Sequence, residues 1–442
     1  MQDKLQESKT HSRSFPDFQI SAWCLAIGLA AGLMFAATAG AQSFQVIHDF
    51  TGGQDGGNPA AGLTMDAAGN LYGTAWGGGT GYGTVFRLGR RGSGWIFTPL
   101  YSFAGGNDGA TPGARVIFGP DGSLYGTTER GGGTRCFFGG TGGCGLVFNL
   151  RPSPTACQTA LCPWMETVLY RFNGGADGGD PDAEVIFDPA GALYSTTAFG
   201  GAYGHCNAEG DACGTAYQLT RSGDSWNETV LYNFGQGNDS SEPLGGVIRD
   251  HAGNLYGTAY QGGFNFGTVF ELTPSGSSWT ETILHRFNTG NEGENPYAGV
   301  IMDSLGVLYG ATTSGGNGGG GTVFKLTQSG GIWTFANLYS FAGSSGGPAA
   351  SLVMDAAGNL YGTTQHDGAH GYGSVFKLSR SGDSWTYTSL HDFTGGNDGG
   401  VPLSNVTFDS NGNLYGTTFY GGTGACNFNG GTGCGVVWQI VP

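Results

Sequence analysis

The string Leu-Tyr-Gly/Ser-(Thr/Ala) begins seven times in this chain, at Leu71, Leu124, Leu193, Leu255, Leu308, Leu360 and Leu414. The spacings are 53, 69, 62, 53, 52 and 54 residues, so one unit of about 52 residues recurs and the second and third copies carry insertions. Units of this kind bury apolar surface by stacking on their neighbours. Each copy holds four short segments rich in Val, Ile, Thr, Tyr and Phe, bounded by Gly, Asn, Asp or Pro, which is the pattern of β-strands. In the fourth copy they run over 244–250, 254–260, 267–273 and 279–287. They are called A, B, C and D below.

A and B are joined by Asp-x-x-Gly, as in Asp66-Ala67-Ala68-Gly69 and Asp355-Ala356-Ala357-Gly358. An Asp that opens a type I turn, followed by a left-handed Gly, closes a tight antiparallel hairpin. The second copy departs, with Gly119 where the Asp would stand. No stretch of the repeats has sustained helical periodicity. Four-stranded antiparallel units at this period predict an all-β fold, a seven-bladed β-propeller, with blades starting near residues 59, 112, 181, 243, 296, 348 and 402.

Six D strands carry a Trp five residues before a Leu: Trp95, Trp164, Trp226, Trp279, Trp333 and Trp385. The seventh copy ends on strand C, at about 435–440, while Ile47-His48-Asp49-Phe50 matches the tail of a D strand. The N-terminal strand, 42–50, is therefore expected to complete the last blade and remove two exposed sheet edges.

Composition agrees. Gly contributes 89 residues, yet aromatics reach 13%, which suits many tight turns between strands better than disorder. Charged residues are only 11% and the formal net charge is −16, a balance that argues against a nucleic-acid partner. Residues 1–41 read as an export signal: Lys4, Lys9 and Arg13, then an apolar run from about Ile20 to Ala37, then Ala39-Gly40-Ala41. The mature chain, 42–442, is expected to be one exported propeller without a membrane span, extracellular, cell-surface or periplasmic, and monomeric.

The strings Gly253-Asn-Leu-Tyr-Gly-Thr-Ala, Gly267-Thr-Val-Phe-Glu-Leu and Gly358-Asn-Leu-Tyr-Gly-Thr-Thr resemble the GloVer tandem repeat of secreted bacterial choice-of-anchor proteins. The resemblance covers nearly all of the mature chain and implies an exported repeat protein. It supplies no catalytic residues.

Eight cysteines follow the export signal in four close pairs: Cys136 with Cys144, Cys157 with Cys162, Cys206 with Cys213, and Cys426 with Cys434. An even count, short spacing and an export signal predict four disulfides. Zinc is the rival reading, and no pair has C-x₂-C spacing.

Alternation of the strands puts the D–A and B–C connections on one face. Six of the seven D–A loops place an acid five residues after the strand-D Phe: Asp55, Asp108, Asp177, Asp239, Glu292 and Asp398. As a ring they would attract cations or share Ca²⁺; as Asp-Gly turns they would simply close their own loops. The B–C loops offer Trp76, Tyr82, Phe199, Tyr203, Tyr260, Phe264, Tyr372, Phe419 and Tyr420, rings that suit a glycan or protein surface or that cover glycine-rich backbone. His366 and His370 in blade six carry H-x₃-H spacing, a weak metal signal on a loop. No nucleophile elbow, phosphate loop or H-E-x-x-H helix occurs, so no catalytic residue is assigned. Two functions follow: an extracellular binding or surface-interaction module using the loop face, or a polysaccharide hydrolase or lyase with its acids on that face. The second requires one or two acids to stand apart from the ring.

Overall fold

The computed structural model describes residues 42–442 except 134–135, 137–141, 154–163, 204–212, 238, 264, 289, 344–345, 383 and 429. The export signal lies outside the described residues. The described residues form no helix, and seven four-stranded sheets, antiparallel throughout, make the seven blades of a β-propeller. Blade one shows the pattern: Thr64–Met65, Leu71–Ala75, Thr84–Arg91 and Gly94–Ser102 from the channel outward. In the seventh sheet the outer strand is Ser43–Asp49, antiparallel to Val436–Val441, with Ser43 opposite Val441 and Asp49 opposite Val436.

Strand A is shorter than expected. In blade four its ladder covers only Ile248–Arg249, two residues of the 244–250 segment. The preceding stretch starts at Pro243, which has no N–H to give a ladder, and then lines the central channel.

The A–B turns close as the sequence predicts. Gly69 donates to the carbonyl of Asp66 at 2.9 Å with φ of 80°, while the Asp66 carboxylate accepts the N–H groups of Ala68 and Asn70. The Tyr of each Leu-Tyr string reaches back to the same carboxylate, as in Tyr72 to Asp66 (3.1 Å) and Tyr415 to Asp409 (3.1 Å). Blade two keeps this geometry by moving the acid: Asp121 accepts from Ser123 and from the hydroxyl of Tyr125.

The repeated Gly and Thr of strand B also acquire reasons. Gly73 faces Phe86 across the ladder, and a Cβ there would stand 2.7 Å from the Phe86 ring. The glycine makes room for an aromatic lid. The Thr hydroxyl that follows crosses to the next blade: Thr74 to the Ala114 carbonyl (3.1 Å), Thr127 to Ala183 (3.1 Å), Thr258 to Ala298 (2.9 Å) and Thr417 to Ala61 (3.0 Å). The last of these joins blade seven to blade one. Beneath it Phe50, Leu63, Leu71 and Phe86 pack with Tyr415 and Val437 in one buried cluster. Burying each such side chain stabilises the fold by roughly 1.5–3 kcal/mol.

Candidate functional site

The acidic D–A loops are held from within. Asp55 accepts the N–H of Thr51 (2.9 Å), Asp108 that of Ala104 (2.9 Å), Asp177 that of Asn173 (2.9 Å), Asp239 that of Gly235 (2.8 Å) and Asp398 that of Thr394 (3.0 Å). The strand-D Tyr or His seven residues earlier meets the same carboxylate. Tyr101, Tyr170 and Tyr232 donate to Asp108, Asp177 and Asp239 at 3.0–3.1 Å. His48, His285 and His391 stand 3.3, 3.3 and 3.1 Å from Asp55, Glu292 and Asp398. Burial lowers the pKa of all three imidazoles, that of His285 to about 4.

Several loop aromatics cover glycine. The ring of Tyr82 sits on Gly105 and that of Tyr372 on Gly395, where a Cβ would overlap them. Disulfides fill the equivalent place in two other blades. Cys426–Cys434 lies against Gly52, and Cys136–Cys144 against Gly174. The other two expected disulfides stand differently. Cys213 is disulfide-bonded, and Cys206 lies outside the described residues. Cys157 lies outside the described residues, and so does Cys162, so their expected pairing is a reading of the sequence alone. Phe264 also falls outside them. His366 packs over Gly346. Among the described residues no group of three or more His, Cys, Asp or Glu side chains converges as a metal site requires.

The concentrated chemistry lies at the channel, in a cavity of about 600 Å³ at the loop face. Its wall is built by the chain entering each strand A. Asn58, Thr111, Asp180, Glu242, Asn295 and Val401 each precede a Pro with φ between 53 and 57°, a conformation rare for residues with a Cβ. Because six blades share it, the strain belongs to the architecture. In those six blades the residue two positions further on lines the channel, as Ala60, Gly113, Asp182, Leu244, Tyr297 and Leu403, and Ala349 takes the matching place in blade six. Most are small or apolar, and the exceptions meet one another. The Tyr297 hydroxyl donates to Asp182 at 3.3 Å, and Asp182 is within hydrogen-bonding reach of Glu129. Glu129 in turn accepts the indole N–H of Trp76 at 3.0 Å. Gly113 leaves the space they use, since a Cβ there would collide with Oε1 of Glu129 and stand 2.9 Å from Oδ1 of Asp182. Arg115 pairs with Glu184 at 2.7 Å on the same wall.

Electrostatically this sector is unlike the loop acids. Burial, then the charges of Asp182 and Asp180, raises the Glu129 carboxyl well above its ordinary range. Burial and the charge of Asp182 raise Asp180 to about 7, and burial raises Asp182 despite its hydrogen bonds to Tyr297 and Glu129. The charge of Asp182, then burial, holds the Tyr297 phenol far up. Oδ1 of Asp180 is buried without a hydrogen-bond partner. Burial thus works in one direction on all three carboxyls, joined by like charge on Glu129 and Asp180, favouring the protonated form.

Of the sequence candidates, Trp76, Phe199 and Phe419 line this cavity, and Trp76 meets its acids. Tyr260 stands beside it, its ring 6.0 Å from that of Tyr297, and the Tyr420 hydroxyl donates to the Phe428 carbonyl in the adjacent wall. Glu129, Asp180, Asp182, Arg115, Glu184 and Tyr297 carry no motif of their own in the sequence. The available signal was divergence between copies: the position after strand B reads Trp76, Glu129, Ala198, Tyr260, Thr313, Gln365 and Phe419 within otherwise uniform strings.

Fold and channel define a repeat-built propeller with a polar sector in its channel. The model of the Gloeobacter/Verrucomicrobia repeat matches residues 28–136, 136–334 and 265–440, and the chain belongs to that family. No curated protein sequence matches it. Among solved structures it is similar to the extracellular domain assigned to a hybrid two-component system of B. thetaiotaomicron, with a TM-score of 0.50, 11% identity, and coverage of 91% of this chain and 42% of that one. It is also similar to a protein of unknown function from Dyadobacter fermentans (TM-score 0.47, 14% identity, 74% and 93% covered). A third is an ulvan lyase (TM-score 0.47, 12% identity, 78% and 85% covered). At 11% identity the likeness to the B. thetaiotaomicron domain is one of fold.

Proposed function

We propose that this chain is an exported ligand-binding propeller that takes a polar ligand of glycan type into the channel mouth on its loop face. One observation carries the reading. In a channel walled mainly by Ala, Gly and Leu, the carboxylates, the phenol and the indole gather in the sector of Trp76, Glu129, Asp180, Asp182 and Tyr297. Aromatic faces beside oriented polar groups suit sugar rings, and a cavity of about 600 Å³ falls in the range of small-molecule sites. The disulfides fit an oxidising compartment. Among the described residues no helix is long and apolar enough to cross a membrane. The test is a glycan array probed with residues 42–442 and with the Trp76→Ala variant. Binding to a defined glycan class that weakens at least about tenfold in the variant supports the reading. Binding indifferent to Trp76 places the ligand elsewhere.

A catalytic reading has one observation in its favour: Glu129 and Asp182 stand apart from the loop acids, and burial pushes both carboxyls upward, the direction a general acid requires. Reducing-end release from a bound polysaccharide, lost in Asp182→Asn with binding retained, would establish it.

A further inference from the structure

We propose that the Glu129–Asp180–Asp182 pole of the channel recognises a protonated primary amine on the incoming ligand. This rests on the channel mouth being the binding site, and it names the chemical class that site selects.

The sign of the local field comes first. Three carboxyl groups share the pole, and the cation acting on them is Arg130, felt by Glu129 and Asp180. Arg115 is committed to Glu184 at 2.7 Å. A ligand phosphate or carboxylate would add to the repulsion. Hydrogen-bond supply comes second. Trp76 and Tyr297 each give one donor, to Glu129 and to Asp182, and so fix the direction of those two carboxyls. Asp180 lines the same cavity, and its Oδ1 is buried and unpartnered. An ionised carboxyl only accepts, whereas an ammonium group brings three donors and a charge. Glu129, Asp182 and Asp180 offer acceptors along one wall of the pocket, which suits that supply. A hydroxyl brings a single donor and no charge. A hard metal ion asks for six or more oxygens, and no metal-like group converges among the described residues.

The titration state adds a signature. Burial and the charge of Asp182 raise Asp180 to about 7, and burial pushes Glu129 and Asp182 upward as well. Entry of an ammonium group favours the ionised forms, so binding near pH 7 releases protons to the buffer, and affinity rises with pH until the amine itself deprotonates.

The experiment is isothermal titration calorimetry on residues 42–442 at pH 7, in two buffers of different ionisation enthalpy. The ligands are a glucosamine oligomer, its N-acetylated counterpart of equal length, and spermidine. We expect the glucosamine oligomer to bind at least about tenfold more tightly than the N-acetylated one, with proton release of up to about one per site. Asp180→Asn and, separately, Glu129→Gln should abolish both the preference and the proton release. Each neutral isostere is checked for an unchanged melting transition, and either one alone suffices if the other does not fold. Spermidine matching the oligomer would assign recognition to the amine alone; weaker spermidine would assign it to amine and sugar together. Equal binding of the two oligomers at a Trp76-dependent site overturns the amine inference and leaves the binding reading intact. Amine preference that survives both substitutions assigns it to the general negative surface and also overturns the inference. Absence of any channel-dependent binding overturns both.

Discussion

Phe44 lies flat on His391, ring centroids 3.7 Å apart and planes 5° from parallel. Phe44 belongs to the outer strand of the last sheet, and His391 to the outer strand of the sheet before it. The same place in other blades holds Phe97 on His48 (4.1 Å) and Phe335 on His285 (4.2 Å). The stack is thus the seam contact of the ring. Phe44→Ala should lower stability by about 1–3 kcal/mol. It should also speed amide exchange along residues 43–49 before the rest of the chain. Unchanged protection there would show that the stack does not hold the strand.

Where the preceding blade offers Tyr instead of His, three of these places hold an acid. Glu166, Glu228 and Glu281 sit beside the Tyr101–Asp108, Tyr170–Asp177 and Tyr232–Asp239 pairs. Burial, joined by the neighbouring Asp charge, raises each to about 7. An unfolded Glu titrates near about 4.3. Their contribution to stability is therefore complete below that value and declines as pH rises through 7. The hairpin acids act in the opposite sense. Burial opposes ionisation of Asp66, Asp121, Asp355 and Asp409, yet their hydrogen bonds lower each pKa, so their contribution falls away in stronger acid. The lowered imidazoles of His48, His285 and His391 act in the opposite sense to the glutamates, so the glutamates are read by difference. The triple Glu→Gln variant at 166, 228 and 281 should gain melting temperature relative to wild type progressively from about pH 4.3 to about pH 7; a difference that does not change with pH would contradict the assignment.

Cys426–Cys434 closes a short loop over Gly52, where Tyr82 and Tyr372 perform the same covering in other blades. Replacing both cysteines by Ser removes the cover and the cross-link. The expected loss is about 2–3 kcal/mol, read from denaturant unfolding. A loss near zero would mean that the loop keeps its shape without the bond.

Trp76 reports on the site directly, because its indole N–H is bonded to Glu129. Gly113→Ala should push the Glu129 carboxyl off its position, shift the Trp76 emission and weaken ligand binding at least about tenfold, with the melting transition little changed. Emission that stays put while the protein folds normally would show that the carboxyl has room to spare.

The fold was legible because its determinants repeat: the Asp of the A–B turn, the Gly under an aromatic ring and the Trp of strand D each recur through the copies. The site was less so. The ordered series Asp55 to Asp398 attracts attention by its regularity, and in the structure five of its six carboxylates accept a backbone N–H of their own loop, Glu292 being the exception. The cavity instead uses positions where the copies disagree. Tyr297 reaches Asp182 across 115 residues of sequence, a meeting that only the closed ring produces. No local spacing encodes it.

Pairing of Ser43 with Val441 has a consequence for how the molecule is made. The strand synthesised first among the propeller's strands finds its partner only after the final residues of the domain have left the ribosome. Early blades can form as each hairpin emerges, yet the last sheet waits on the longest loop the chain can close. That contact of high sequence separation makes completion of folding late and cooperative. A chain interrupted anywhere in its last repeat would leave this strand unpaired, an exposed edge by which unfinished copies can be told from finished ones.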